Sequence, residues 1–71
     1  MNHKVVIYLG MSLNIGKNFI SQKNLKDAEK VFLDLHKTNN SLEINYNLGI
    51  IYFELKEIKK SQRFFERVYK N

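Results

Sequence analysis

Residues 9 to 38 match residues 42 to 71 at an offset of 33, with seven identical pairs: Leu9/Leu42, Asn14/Asn47, Gly16/Gly49, Lys23/Lys56, Lys26/Lys59, Phe32/Phe65 and Lys37/Lys70. The changed pairs keep their character. Met11/Ile44, Ile15/Leu48, Phe19/Tyr52, Leu25/Ile58 and Leu35/Val68 remain apolar or aromatic, and Ala28/Ser61 remains small. A repeat of this length is one supersecondary unit that hides its apolar face on its neighbour, so the period constrains the fold before any single residue does.

Within each copy the apolar spacing is helical. Ile15, Phe19 and Gln22 in the first copy, and Leu48, Tyr52 and Leu55 in the second, recur at i, i+4, i+7. Leu25, Ala28, Phe32 and Leu35 make the stripe of a returning helix, matched by Ile58, Ser61, Phe65 and Val68. The pattern predicts an all-α chain of four helices near 9–22, 25–38, 42–55 and 58–70. These make two stacked antiparallel helix-turn-helix repeats in a single domain over 1–71, repeat one covering about 9–41 and repeat two about 42–71. The chain has no proline and only three glycines, so little interrupts a helix and an all-β sandwich is disfavoured. Asn24 and Ser41 are placed to cap the second and third helices, and Asn39-Asn40-Ser41 makes a polar connector. Residues 1 to 8 form an N-terminal extension, and "HKVVIY" fits a longer first helix, the end of a preceding helix or a strand.

The second copy, "LEINYNLGIIYFELKEIKKSQRFFERVYK", resembles a tetratricopeptide repeat. Tyr46-Asn47-Leu48-Gly49 is followed by Tyr52, an apolar Ile58, a small Ser61, an aromatic Phe65 and an apolar Val68. The first copy follows more loosely, with "SLNIGKNF" against "NYNLGIIY", and together the two cover about sixty of the 71 residues. Gly16 and Gly49 are expected where two helices cross, with Ala28 and Ser61 allowing the same close approach from the other side. The departures from the family are Lys23 and Lys56 where it turns on glycine, Ser12 and Asn45 where it often has tryptophan, and no closing proline. A left-handed turn at lysine costs on the order of 1 kcal/mol, so the chain is expected to hold its fold by a small margin. Repeats of this kind generally come in about three units with a polar cap, and this chain has two.

The chemistry-bearing residues do not assemble into an enzyme. Without cysteine there is no disulfide, thiolate nucleophile or cysteine-bound zinc, and a reducing compartment is permitted, so a cytoplasmic location is the expectation. Gly10 and Gly16-Lys17 suggest a phosphate loop, but five residues separate them instead of four, and Asn18 stands where Ser or Thr would hold magnesium. His3 and His36 lie far apart in sequence, His36 on an outward and solvated stretch, and no carboxylate joins them at metal-ligand spacing. The reading is therefore a non-enzyme with no cofactor and no metal. The stretch from Val5 to Met11 could pass for a signal-peptide core but lacks a clear cleavage site, and no run approaches the roughly 18 apolar residues of a membrane span.

What remains is a binding surface. The resemblance implies that the first helix of each repeat lines a concave groove, placing Asn14 and Lys17 beside Tyr46, Asn47, Ile50, Phe53 and Glu54. Asn14 and Asn47 each offer a donor and an acceptor, suited to gripping an extended peptide backbone or, equally, to holding local helix geometry. Tyr46, Ile50 and Phe53 form an apolar stripe separate from Leu48, Tyr52 and Leu55, and a helix apolar on two sides wants two neighbours. The expected partner is a protein or peptide, with self-association into a homo-oligomer as a way to cover the open ends. The alternative is a basic nucleic-acid binder, because residues 56 to 71 carry six basic side chains against two acidic ones, a net of +4 out of +5 for the chain.

Overall fold

The computed structural model describes residues 3 to 70. Among them are four helices and no strand: α1 (His3–Ser21), α2 (Leu25–Thr38), α3 (Leu42–Glu54) and α4 (Ile58–Tyr69). α1 packs on α2, α2 on α3 and α3 on α4. The chain is thus two helical hairpins laid side by side, and every boundary but the start of α1 falls within a residue of the periodicity. That start settles the N-terminal extension: residues 3 to 8 add to α1, while residues 1 and 2 lie outside the described part. Val5, Val6 and Ile7 are mediocre helix formers, but extending an existing helix fixes one hydrogen bond per residue, whereas a lone strand here would have no partner.

Both hairpins turn in the same way. After α1 the amide of Lys23 donates to the carbonyl of Ile20 at 3.0 Å and that of Asn24 to Phe19 at 2.8 Å; after α3, Lys56 donates to Phe53 at 3.0 Å and Glu57 to Tyr52 at 2.8 Å. This double closure satisfies the last carbonyls of each helix and needs a left-handed residue at its second-last position. Lys23 and Lys56 take that conformation, with φ of 64° and 65°.

The caps divide. Ser41 accepts from the amide of Ile44 at 3.2 Å and starts α3 as expected. Asn24 does not cap α2: its backbone (φ −84°, ψ 68°) is bound into the preceding turn, which aims the side chain away from the helix amides, and its amide donates to Gln22 instead.

One core runs through both hairpins, formed by Ala28, Phe32 and Leu35 of α2 with Ile44, Leu48, Ile51 and Tyr52 of α3. α3 is buried from two sides, by α2 and α4, which is why its sequence is apolar almost all round. The repeated glycines seat aromatic rings. A Cβ on Gly16 would come within 2.5 Å of the Phe32 ring, and one on Gly49 within 2.6 Å of Phe65. What the missing side chain first makes room for, where the helices of each hairpin meet, is the ring two helical turns up the returning helix. Ser61 completes the second seat, its hydroxyl donating to the carbonyl of Gly49 at 2.7 Å.

Candidate functional site

α1 and α3, the first helices of the two hairpins, are tied along one side by charge. Lys17 Nζ stands 2.7 Å from Glu43 Oε2, and Lys23 Nζ, at the turn after α1, stands 3.3 Å from Glu54 Oε2. Helical spacing explains the pairing. Glu43, Ile50 and Glu54 recur at i, i+7, i+11 and so share one strip of α3, with Ile50 between the two carboxylates. On the adjoining strip lie Leu42, Tyr46 and Phe53, at i, i+4, i+11. Tyr46 and Phe53 are 46% and 59% exposed although α3 is the most buried helix of the chain.

The structure therefore brings Lys17, Ile50 and Glu54 onto one polar-edged strip and sets Tyr46 and Phe53 on its rim. Asn14 is exposed on α1. Asn47 is buried, and its amide nitrogen donates to the carbonyl of Glu43 one turn earlier at 2.8 Å, so that donor supports α3 locally.

A second cluster was not legible in sequence. His36, expected in solvent, is half-buried between helices: Arg67 Nη1 donates to its Nε2 at 3.1 Å, and its ring meets Phe64 edge-on at 5.7 Å between centroids. Phe64 in turn stacks on Tyr52 at 5.6 Å and carries the Arg67 guanidinium at 4.9 Å. The pairing spans 31 residues, which is why a local reading of α2 placed His36 outside. Burial, together with the hydrogen-bonded Glu29 carboxylate and the nearby Glu57 charge, pushes the Tyr52 phenol well above its usual range.

Arg67 also reaches the buried Asn45, whose amide nitrogen donates to Asn40 Oδ1 and to the carbonyl of Ser41, both at 2.8 Å. Asn45 thereby pins the polar connector to α3, filling with hydrogen bonds a position that a large aromatic could occupy. Beside it a hollow of about 530 Å³ opens between the start of α3 and the end of α4, lined by Arg63, Arg67 and Lys70 with Asn40, Asn45 and Glu66. Among the described residues no group of three or more His, Asp and Glu could hold a metal ion, and no helix is long and apolar enough to cross a membrane.

No family model, no curated protein and no solved structure matches this chain.

Proposed function

We propose that this chain is a non-catalytic protein-interaction module of the tetratricopeptide type, binding a peptide or helix of another protein along the side that α1 and α3 share. The observation that carries this reading is the apolar surface on α3: Tyr46 and Phe53 stay 46% and 59% exposed while seven other residues of that helix are buried. Exposed aromatics beside an apolar strip, rimmed by charge, have the composition of a peptide-binding patch. Ile50 would take an apolar side chain, Asn14 and Glu54 would hold the partner's backbone or a basic group, and Lys17 and Glu43 would order the rim.

A random-peptide display library selected on the folded chain tests the proposal. Enriched peptides should lose at least tenfold in affinity on Ile50→Glu and keep it on Leu33→Glu, a change on α2. Peptides equally affected by both, or no enrichment, would contradict the groove.

The basic hollow supports a second reading, an acidic or nucleic-acid partner at Arg63 and Lys70. Two of the basic groups that line it are already engaged: Arg67 with His36 and Phe64, and Lys70 with Glu66. That local pairing favours the protein reading. Binding to a single-stranded oligonucleotide that falls steeply between low and physiological salt, and weakens on Arg63→Ala, would reverse the preference.

A further inference from the structure

The two open ends of the stack are related to its inner interface by the same 33-residue offset. Ile44 and Leu48, which dock α3 onto the first hairpin, are 1% and 0% exposed; their counterparts on α1, Met11 and Ile15, are 60% and 48% exposed. At the opposite end the relation runs the other way. Leu9, Leu13 and Ile20 are half-buried against the core, whereas their counterparts Leu42, Tyr46 and Phe53 stand open. Phe32 is fully buried and Phe65 only partly. Each end thus presents one half of the contact already made inside the chain, and both halves are apolar.

The polar contacts across the inner interface show what fits between the ends. Lys17 pairs with Glu43 inside; at an outer junction built on the same offset, Ile50 would face Gly10. Lys23 pairs with Glu54 inside; outside, Lys56 would face Ser21. Arg67 donates to His36 inside; outside, Asp34 would face the Tyr69 hydroxyl. In the first of these the lysine and the glutamate are both replaced, so no charge is left opposite an apolar side chain. The second sets no like charges together, and the third matches a carboxylate with a hydroxyl donor. None of the three sets like charges against each other, so a second copy meets no electrostatic clash at these positions.

We propose that the open face of α3 and α4 receives α1 of a second copy of this chain, so that copies associate head to tail in the geometry by which α3 docks on the first hairpin. This rests on the reading of the uncovered α3 strip as a binding surface, and it names what covers the Tyr46 and Phe53 side of it. The contact is heterologous: one copy gives its tail face, the other its head face, and chains longer than two can form.

The test uses two single variants at half-exposed positions, Ile15→Glu on the head face and Phe53→Glu on the tail face, in sedimentation equilibrium of the 71-residue chain from about 10 µM to about 1 mM, the range of weak association. Glutamate lowers the net positive charge, so a loss of association cannot come from added charge repulsion. The wild type should rise in weight-average mass across this range, and each variant alone should remain at the monomer mass. An equimolar mixture should rise again and stop at twice the monomer mass, because only one live head and one live tail remain. A wild type that stays monomeric, a variant that still associates alone, or a mixture that stays monomeric overturns the proposal. Circular dichroism establishes that each variant is folded; if one is not, Met11→Glu or Leu42→Glu replaces it on the same face. Ile15 lies off the groove, so Ile15→Glu should leave peptide selection intact, and failure of the groove reading shows separately as loss of peptide binding without loss of association.

Discussion

The ring of Phe32 rests on Gly16 so closely that a single added carbon would meet it at 2.5 Å, and Phe65 stands in the same relation to Gly49 at 2.6 Å. The two seats differ in freedom. Phe32 is fully buried and has nowhere to go, while Phe65 is partly exposed. Gly16→Ala is therefore predicted to destabilise by about 1–3 kcal/mol, the usual range for overpacking, despite the better helix propensity of alanine. Gly49→Ala should cost less, because the Phe65 ring can tilt outward. Gly10→Ala, with nothing within 4 Å of the new carbon, should stabilise by roughly 0.5–1 kcal/mol. Urea denaturation of the three variants orders them, and an equal effect at Gly10 and Gly16 would refute the seats.

The left-handed lysines make an opposite prediction. Replacing Lys56 (φ 65°) by glycine removes the clash between Cβ and the following carbonyl, and the variant should gain about 0.5–1 kcal/mol in the same denaturation assay. Lys23→Gly should gain less, since Lys23 also pairs with Glu54, an exposed contact that contributes a few tenths of a kcal/mol. Destabilisation by Lys56→Gly would mean that this turn is not left-handed.

Tyr52 links stability to alkaline pH. Its phenol is held above the usual range by burial and by Glu29, so the folded state favours the protonated form more than the unfolded chain does. A group raised in this way contributes its full stability below the unfolded value, about pH 10, and loses it as pH climbs through the folded value. Wild type should exceed Tyr52→Phe by about 1 kcal/mol at pH 7, the contribution of the hydroxyl's hydrogen bond. That margin should hold to about pH 9 and shrink above pH 10. Melting temperatures of the two proteins at matched pH check it, and a margin that widens above pH 10 would contradict the sign.

Much of this fold was legible because the 33-residue offset acts on pairs. Gly16 and Phe32 lie symmetrically about Asn24, as Gly49 and Phe65 lie about Glu57, so an antiparallel hairpin brings each pair to the same level. Their identity across the copies carried that signal, though sequence alone does not say whether a glycine admits a ring or a backbone. The left-handed turn at Lys23 and Lys56 followed from the resemblance, which sets a glycine at those two positions, against the residue type. Asn24 misled because one residue served two ends: bound as the last member of a turn, it could not also aim its side chain at the next helix. His36 and Asn45 were opaque for another reason. Arg67, which reaches both, lies on α4, and nothing in the local pattern of α2 or α3 announces a contact so distant in sequence; the shorter bonds of Asn45 to Asn40 and Ser41 depend on how the connector folds back. For the candidate site, the exposed Tyr46 and Phe53 follow from the apolar second stripe of α3, whereas the Lys17–Glu43 and Lys23–Glu54 pairs needed the coordinates.

The most direct test of the stacked, glycine-seated hairpins is a carbon-edited NOESY spectrum of the labelled chain. The Phe32 ring protons should show cross-peaks to the Gly16 α-protons, and the Phe65 ring protons to those of Gly49, each pair shifted by the ring above it. Phenylalanine rings with cross-peaks to neither glycine, in a chain that is nonetheless helical, would contradict the account.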